Sequence, residues 1–219
     1  MSHSTSNDVT VRSRRRRNLL ATAVLGATLP WLPVPWLPAG AMAAVPDAEA
    51  FISQIGDEVM EILTDASKDN AQKLADLKTM LDSYTDIDLI AKLVLGRYWR
   101  TASTEERETY LRLFHELLMK TLAARLGDYN GQTFEIVGSQ QVSEIDSTVA
   151  SRIIRVAGKP PLKVDWRVRE KDGSFAIIDV VAEGVSLVVS QRNEVGSIVE
   201  REGMPGLIAA MEERSGALL

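Results

Sequence analysis

The stretch Lys159–Glu194, KPPLKVDWRVREKDGSFAIIDVVAEGVSLVVSQRNE, decides the fold. Two runs of alternating apolar residues flank the turn triplet Lys171-Asp172-Gly173. Leu162, Val164, Trp166 and Val168 fall on one side of a strand, and Lys163, Asp165, Arg167 and Arg169 on the other. Such a strand has an apolar inner face that something must cover, either the protein's own core or in part a ligand. The second run continues as AEGVSL, which reads as further strand before the chain turns helical near Gln191.

Working outward, the preceding segments support a sheet on this side of the chain. Asn130-Gly131 is a turn signal, Thr133–Val137 a short strand, and Thr148–Val156 a β-branched run. Four strands with short connections predict an antiparallel meander. The residues before it read as helices. Phe51, Ile52, Ile55, Val59, Ile62 and Leu63 repeat at helical spacing from Asp47 to Thr64, and Leu74, Leu77 and Leu81 mark a second helix. Asp86 caps a third, ended by Gly96. Ser103 with Glu106 three residues on is a capping box. It opens the longest helix, whose stripe is Tyr110, Leu113, Phe114, Leu117, Leu118, Leu122 and Leu126. Gln191–Glu202 and Met204–Arg214 return to helix. Helices, then strands, then helices is an α+β order. The expectation is a curved antiparallel sheet of about four or more strands, wrapped by N-terminal and C-terminal helices around an apolar cavity.

Residues 1–43 differ from the rest. Arg12 and Arg14–Arg17 precede an apolar run, Leu19–Leu29, and the small residues Ala39-Gly40-Ala41-Met42-Ala43-Ala44 follow. This order reads as an export signal cleaved near Ala43, leaving 44–219 as one domain. The run is too short to span a bilayer, which takes ~20 apolar residues. Arg16-Arg17-Asn18-Leu19-Leu20 resembles a twin-arginine signal but lacks its usual aromatic and lysine, so both export routes stay open. Residues 1–43 hold five arginines and one aspartate, so the remainder holds 20 basic and 29 acidic residues, a formal net charge of −9. No block of basic residues remains in it. That composition argues against nucleic acid and against an electrostatic hold on anionic membranes. With no cysteine, disulfides, thiolate metal sites and thiol nucleophiles are excluded.

Catalytic candidates are few. His115 is the single histidine beyond the leader, and its neighbour Glu116 cannot face it from the next helical position. Asp82, Asp86 and Asp88 cluster, yet they flank a helix start, where acids cap and complement the dipole. Gly184-Val185-Ser186-Leu187-Val188 lacks the second glycine of a nucleophile elbow. Asp179 is weighed as a possible buried base, but alternation sets it opposite Ile178 and Val180, as an outward acid pairing with Arg167 or Arg169. No metal or cofactor is expected.

The order Leu95-Gly96-Arg97-Tyr98-Trp99-Arg100, Tyr129-Asn130-Gly131-Gln132-Thr133-Phe134, Lys159-Pro160-Pro161, Asp179, Ala182-Glu183-Gly184-Val185-Ser186 and Gln191-Arg192-Asn193-Glu194 resembles the MlaC (toluene-tolerance) family, in register from about Phe51 to Met211. The resemblance implies a periplasmic phospholipid carrier and not an enzyme. It would be a monomer shuttling between an inner-membrane MCE-domain/ABC transport complex and an outer-membrane lipoprotein complex. By that analogy Tyr98 and Trp99 are cavity-edge aromatics. Leu113, Phe114, Leu117 and Leu118 form a helical wall, and Val164, Trp166, Val168, Ile178 and Val180 a sheet wall. A carrier of hopanoid or another polycyclic lipid is the alternative within the same fold. A cone-shaped enzyme using Asp179 or His115 is less favoured and requires a shielded carboxylate or imidazole. A ligand-free adaptor requires a fully packed interior.

Overall fold

The computed structural model describes residues 45–156 and 158–217. The expected export signal lies outside them. Helix α1 (Pro46–Thr64) has proline in its first turn and Asp47 and Glu49 near its positive end. Asp69 caps α2 (Asn70–Tyr84) in a complete capping box with Gln72. Asp86 accepts from the Leu89 amide at 2.9 Å and caps α3 (Ile87–Leu95). This is the role expected of the acidic cluster. Gly96 ends that helix at φ 60°, a conformation that favours glycine. A 3-10 turn, Gly96–Arg100, then leads to α4 (Thr104–Arg125), opened by the Ser103–Glu106 capping box as the spacing predicts.

Five antiparallel strands follow in sequence order, β1 (Thr133–Gln141), β2 (Asp146–Ile154), β3 (Leu162–Lys171), β4 (Ser174–Ala182) and β5 (Val185–Ser186). The meander is therefore as read, with a fifth, two-residue strand added. Two turns set its register. Asp172 and Gly173 both have positive φ between Lys171 and Ser174, the backbone of a type I′ hairpin. Glu183 and Gly184 repeat it between Ala182 and Val185. AEGVSL thus does not extend β4 but doubles back. The strained left-handed Glu183 is held by Lys163, whose amide donates to the Glu183 carboxylate at 2.8 Å and whose carbonyl accepts from the Glu183 amide at 3.0 Å. Helix α5 (Leu187–Ala217) closes the chain and is broken at Gly203, φ 70° and ψ −174°, between the two helical stretches the sequence predicts.

Apolar burial divides into two clusters. In one, Ala48 and Ile52 of α1 pack on Val149, Val168 and Ile177 of the sheet, with Phe134, Ile136, Trp166, Phe175 and Val180 around them. The other is wholly helical, joining α3, α4 and α5 through Ala91, Val94, Leu95, Tyr110, Leu113, Val195, Leu207 and Met211. Each large side chain so buried contributes about 1.5–3 kcal/mol against exposure.

Candidate functional site

β3 alternates as its sequence demands. Val164 and Val168 are buried, Trp166 is half-buried, and Lys163 on the opposite face is exposed. Trp166 reaches its place because β2 supplies a polar partner. Its Nε1 donates to Ser151 Oγ at 2.9 Å, and Ser151 donates onward to the Val164 carbonyl at 2.8 Å. An otherwise costly buried indole N–H is satisfied and its ring left free for apolar contact. Phe134 meets that ring edge-on at 6.3 Å.

β4 departs from strict alternation. Its register against β3 shifts between Arg167 and Val168, so Ile177 pairs with Val168 and Asp179 with Arg167, leaving Ile178 as the extra residue of a bulge. Ile177 and Val180, three apart, therefore both join the α1-facing cluster. Ile178 is buried but belongs to neither cluster.

The same region overturns the expectation for Asp179. It is 3% exposed and pairs with neither Arg167 nor Arg169. Its Oδ1 accepts from the amides of Val180 (2.8 Å) and Val188 (3.1 Å), and its Oδ2 from Ser186 Oγ (2.6 Å). Ser186 in turn accepts from the Val189 amide at 3.0 Å. Asp179 does stand opposite Arg167, brought there by the bulge, but the chain returning through β5 into α5 covers that end of the face. Arg169 instead holds Asp146 in a two-pronged pair, Nε to Oδ1 at 2.7 Å and Nη2 to Oδ2 at 2.9 Å, which keeps the Asp146 carboxyl below its ordinary pKa. A shielded carboxylate exists, as the enzyme alternative requires, yet both its oxygens are occupied, Oδ1 by the amides of Val180 and of Val188 at the start of α5 and Oδ2 by the Ser186 hydroxyl. His115 lies at the surface with Nε2 3.0 Å from Asp88 Oδ1, tying α4 to α3. Among the described residues no group of three or more His, Cys, Asp or Glu is placed to hold a metal ion.

Most of the residues expected at the cavity edge and on the helical wall come together in one cluster. Tyr98, Trp99, Leu113, Phe114 and Leu117 meet in the helical cluster, while Leu118 is half-buried outside it. Tyr110 anchors this wall from beneath, its hydroxyl donating to the Ala91 carbonyl at 2.9 Å, and burial pushes its pKa up. Of the sheet wall, Trp166, Val168 and Val180 meet in the other cluster, and Val164 is buried apart. The two walls thus line two separate clusters. Seven of the eleven wall residues are only half-buried, so their apolar surface is not sealed by the protein itself. Along α4 full burial reaches only Tyr110 and Leu113. Sequence reasoning missed Phe134, Ile136 and Phe175 as sheet-face neighbours of Trp166, although their alternation in β1 and β4 was available as a signal. An open groove of about 410 Å³ on the other side of the sheet, lined by Val137, Arg152, Lys163, Asp165 and Glu183 among others, includes none of the eleven.

The architecture defines an α+β fold, an open antiparallel sheet covered by α1 and joined to a helical layer. It has the fold of a phospholipid-binding protein from Ralstonia solanacearum solved in complex with a phospholipid, with a TM-score of 0.67 over 78% of this chain and 98% of that one, at 21% identity. A match to the MlaC protein family model spans residues 53–213, and the chain belongs to that family. The intermembrane phospholipid transport system binding protein MlaC of Haemophilus influenzae is 28% identical over 134 residues, covering 59% of this chain and 62% of the relative's length.

Proposed function

We propose that this protein is a carrier that holds phospholipid acyl tails against the half-buried walls of the helical layer and the sheet, in a cavity that opens as the two layers part. The family match through residues 53–213 carries this reading. The names of the relatives, one a phospholipid-transport binding protein and the other a phospholipid-binding protein, support it. So does the incomplete burial of Tyr98, Trp99, Phe114, Leu117, Leu118, Trp166 and Val180. Each methylene moved from water into such a site contributes about 0.8 kcal/mol, so two acyl chains hold the ligand with no headgroup contact needed. The carrier is exported to the periplasm after cleavage near Ala43. There it works as a monomer between an inner-membrane MCE-domain/ABC complex and an outer-membrane lipoprotein complex, without enzymatic activity of its own.

The test is organic extraction of protein purified from its native host, followed by mass spectrometry. Stoichiometric phospholipid is the expected result. A hopanoid or other polycyclic lipid supports the alternative carrier, and protein that neither carries lipid nor loads it from vesicles overturns both. The intact mass of the exported protein tests cleavage at Ala43.

A further inference from the structure

The basic residues that sequence shows as scattered are gathered by the fold around one aromatic ring. Lys92 of α3 places Nζ 5.4 Å from the centre of the Trp99 ring, and Arg107 of α4 places Cζ 5.3 Å from it. Arg107 Nη2 donates to the backbone carbonyl of Arg100 at 3.2 Å, and Arg100, next to Trp99 in sequence, is itself an exposed cation. Among the described residues none of these three has a carboxylate within ion-pair distance, and Arg107 Nε is buried without a hydrogen-bond partner. The contrast with the next cation is direct, since Arg97 is matched by Glu200. Glu106, beside Arg107 in sequence, is committed to the Ser103 amide in the cap of α4.

We infer that this Lys92–Trp99–Arg100–Arg107 surface docks on an anionic lipid bilayer. A chain carrying a formal −9 beyond residue 43 is repelled from such a bilayer as a whole, so unmatched cations on one end orient its approach. Three cations from three successive elements meet a plane of phosphates without needing any one carboxylate in a set position. The indole is amphipathic and suits the headgroup level, with long basic side chains reaching past it. The inference stands on charge and geometry and does not require that lipid be carried.

The experiment is flotation of the purified protein with protein-free vesicles, either pure phosphatidylcholine or a phosphatidylcholine–phosphatidylglycerol mixture. Binding is expected to the mixture alone and to disappear at high salt. The double variant Lys92→Glu/Arg100→Glu, both exposed positions, is expected to lose roughly tenfold or more in vesicle affinity. A control with the same charge change elsewhere, Lys159→Glu/Lys171→Glu, is expected to retain binding. Failure to associate with anionic vesicles overturns the inference and leaves an acidic protein as what these cations meet. Equal loss in the control overturns the location. Lipid content measured on the same samples reports separately on the carrier reading.

Discussion

Asp179 of β4 accepts a 2.6 Å hydrogen bond from Ser186 of β5, and through it and the Val188 amide the sheet is fastened to the first turn of α5. α5 carries Val188, Val195, Leu207 and Met211 into the helical cluster. One carboxylate therefore joins the two apolar layers where β5 passes into α5.

Replacement of that carboxylate is expected to destabilise. Asp179→Ala leaves two amides and a hydroxyl without their acceptor. Hydrogen bonds to a charged group contribute about 1.5–3 kcal/mol, and a lost helix cap about 1, so a loss of about 2–4 kcal/mol is expected by urea denaturation. Ser186→Ala removes one donor and one cap acceptor and is expected to cost about 1 kcal/mol. Equal costs for the two variants would contradict the central place given to the carboxylate.

Gly56 marks a close approach of α1 to the sheet. A Cβ at this position lies 2.6 Å from Phe134 Cδ1 and 2.8 Å from Cε1. Gly56→Ala improves helix propensity by about 1 kcal/mol, but overpacking costs about 1–3. A net loss of up to about 2 kcal/mol is expected. A stabilised variant would mean that Phe134 yields freely and does not pin α1.

The Asp146–Arg169 pair is expected to contribute to acid sensitivity. Its carboxyl is held below the ordinary value first by the Arg169 hydrogen bond, against a smaller opposing effect of burial. The stability it supplies is therefore present above the unfolded pKa of ~3.9. It is lost as pH falls through the lower folded value. Asp146→Asn is expected to cost about 1–2 kcal/mol at pH 7, with the gap from the parent protein closing below about pH 4. A gap that persists at pH 2.5 would assign the loss to packing.

The helical wall is tested by polarity. Leu117 and Leu118 are half-buried, so a glutamine at either position is tolerated by the fold better than at Leu113. Leu117→Gln/Leu118→Gln is expected to lower the lipid-to-protein ratio roughly fivefold, the equivalent of about 1 kcal/mol of lost tail burial. An unchanged ratio with a lowered melting temperature would return these residues to the protein's own core.

Local rules carried the elements. The caps at Asp86 and Ser103, the break at Gly203 and the Asp172-Gly173 turn each rest on the conformational preference of a few neighbouring residues. Such preferences are written in the sequence and survive whatever packs around them. The same is true of β3, where uninterrupted alternation separates Val164, Trp166 and Val168 from Lys163. Tertiary structure alone decided the rest. The bulge at Ile178 exchanged it for Ile177 on the α1-facing side, because one added residue reverses a period of two. Asp179 became buried because a segment later in the chain returned over it, which no pattern within β4 records. Periodicity identifies an apolar face, but what that face meets depends on long-range packing. For that reason the sequence alone could place Leu113 and Trp166 on apolar faces, while only the folded chain assigned them to different clusters.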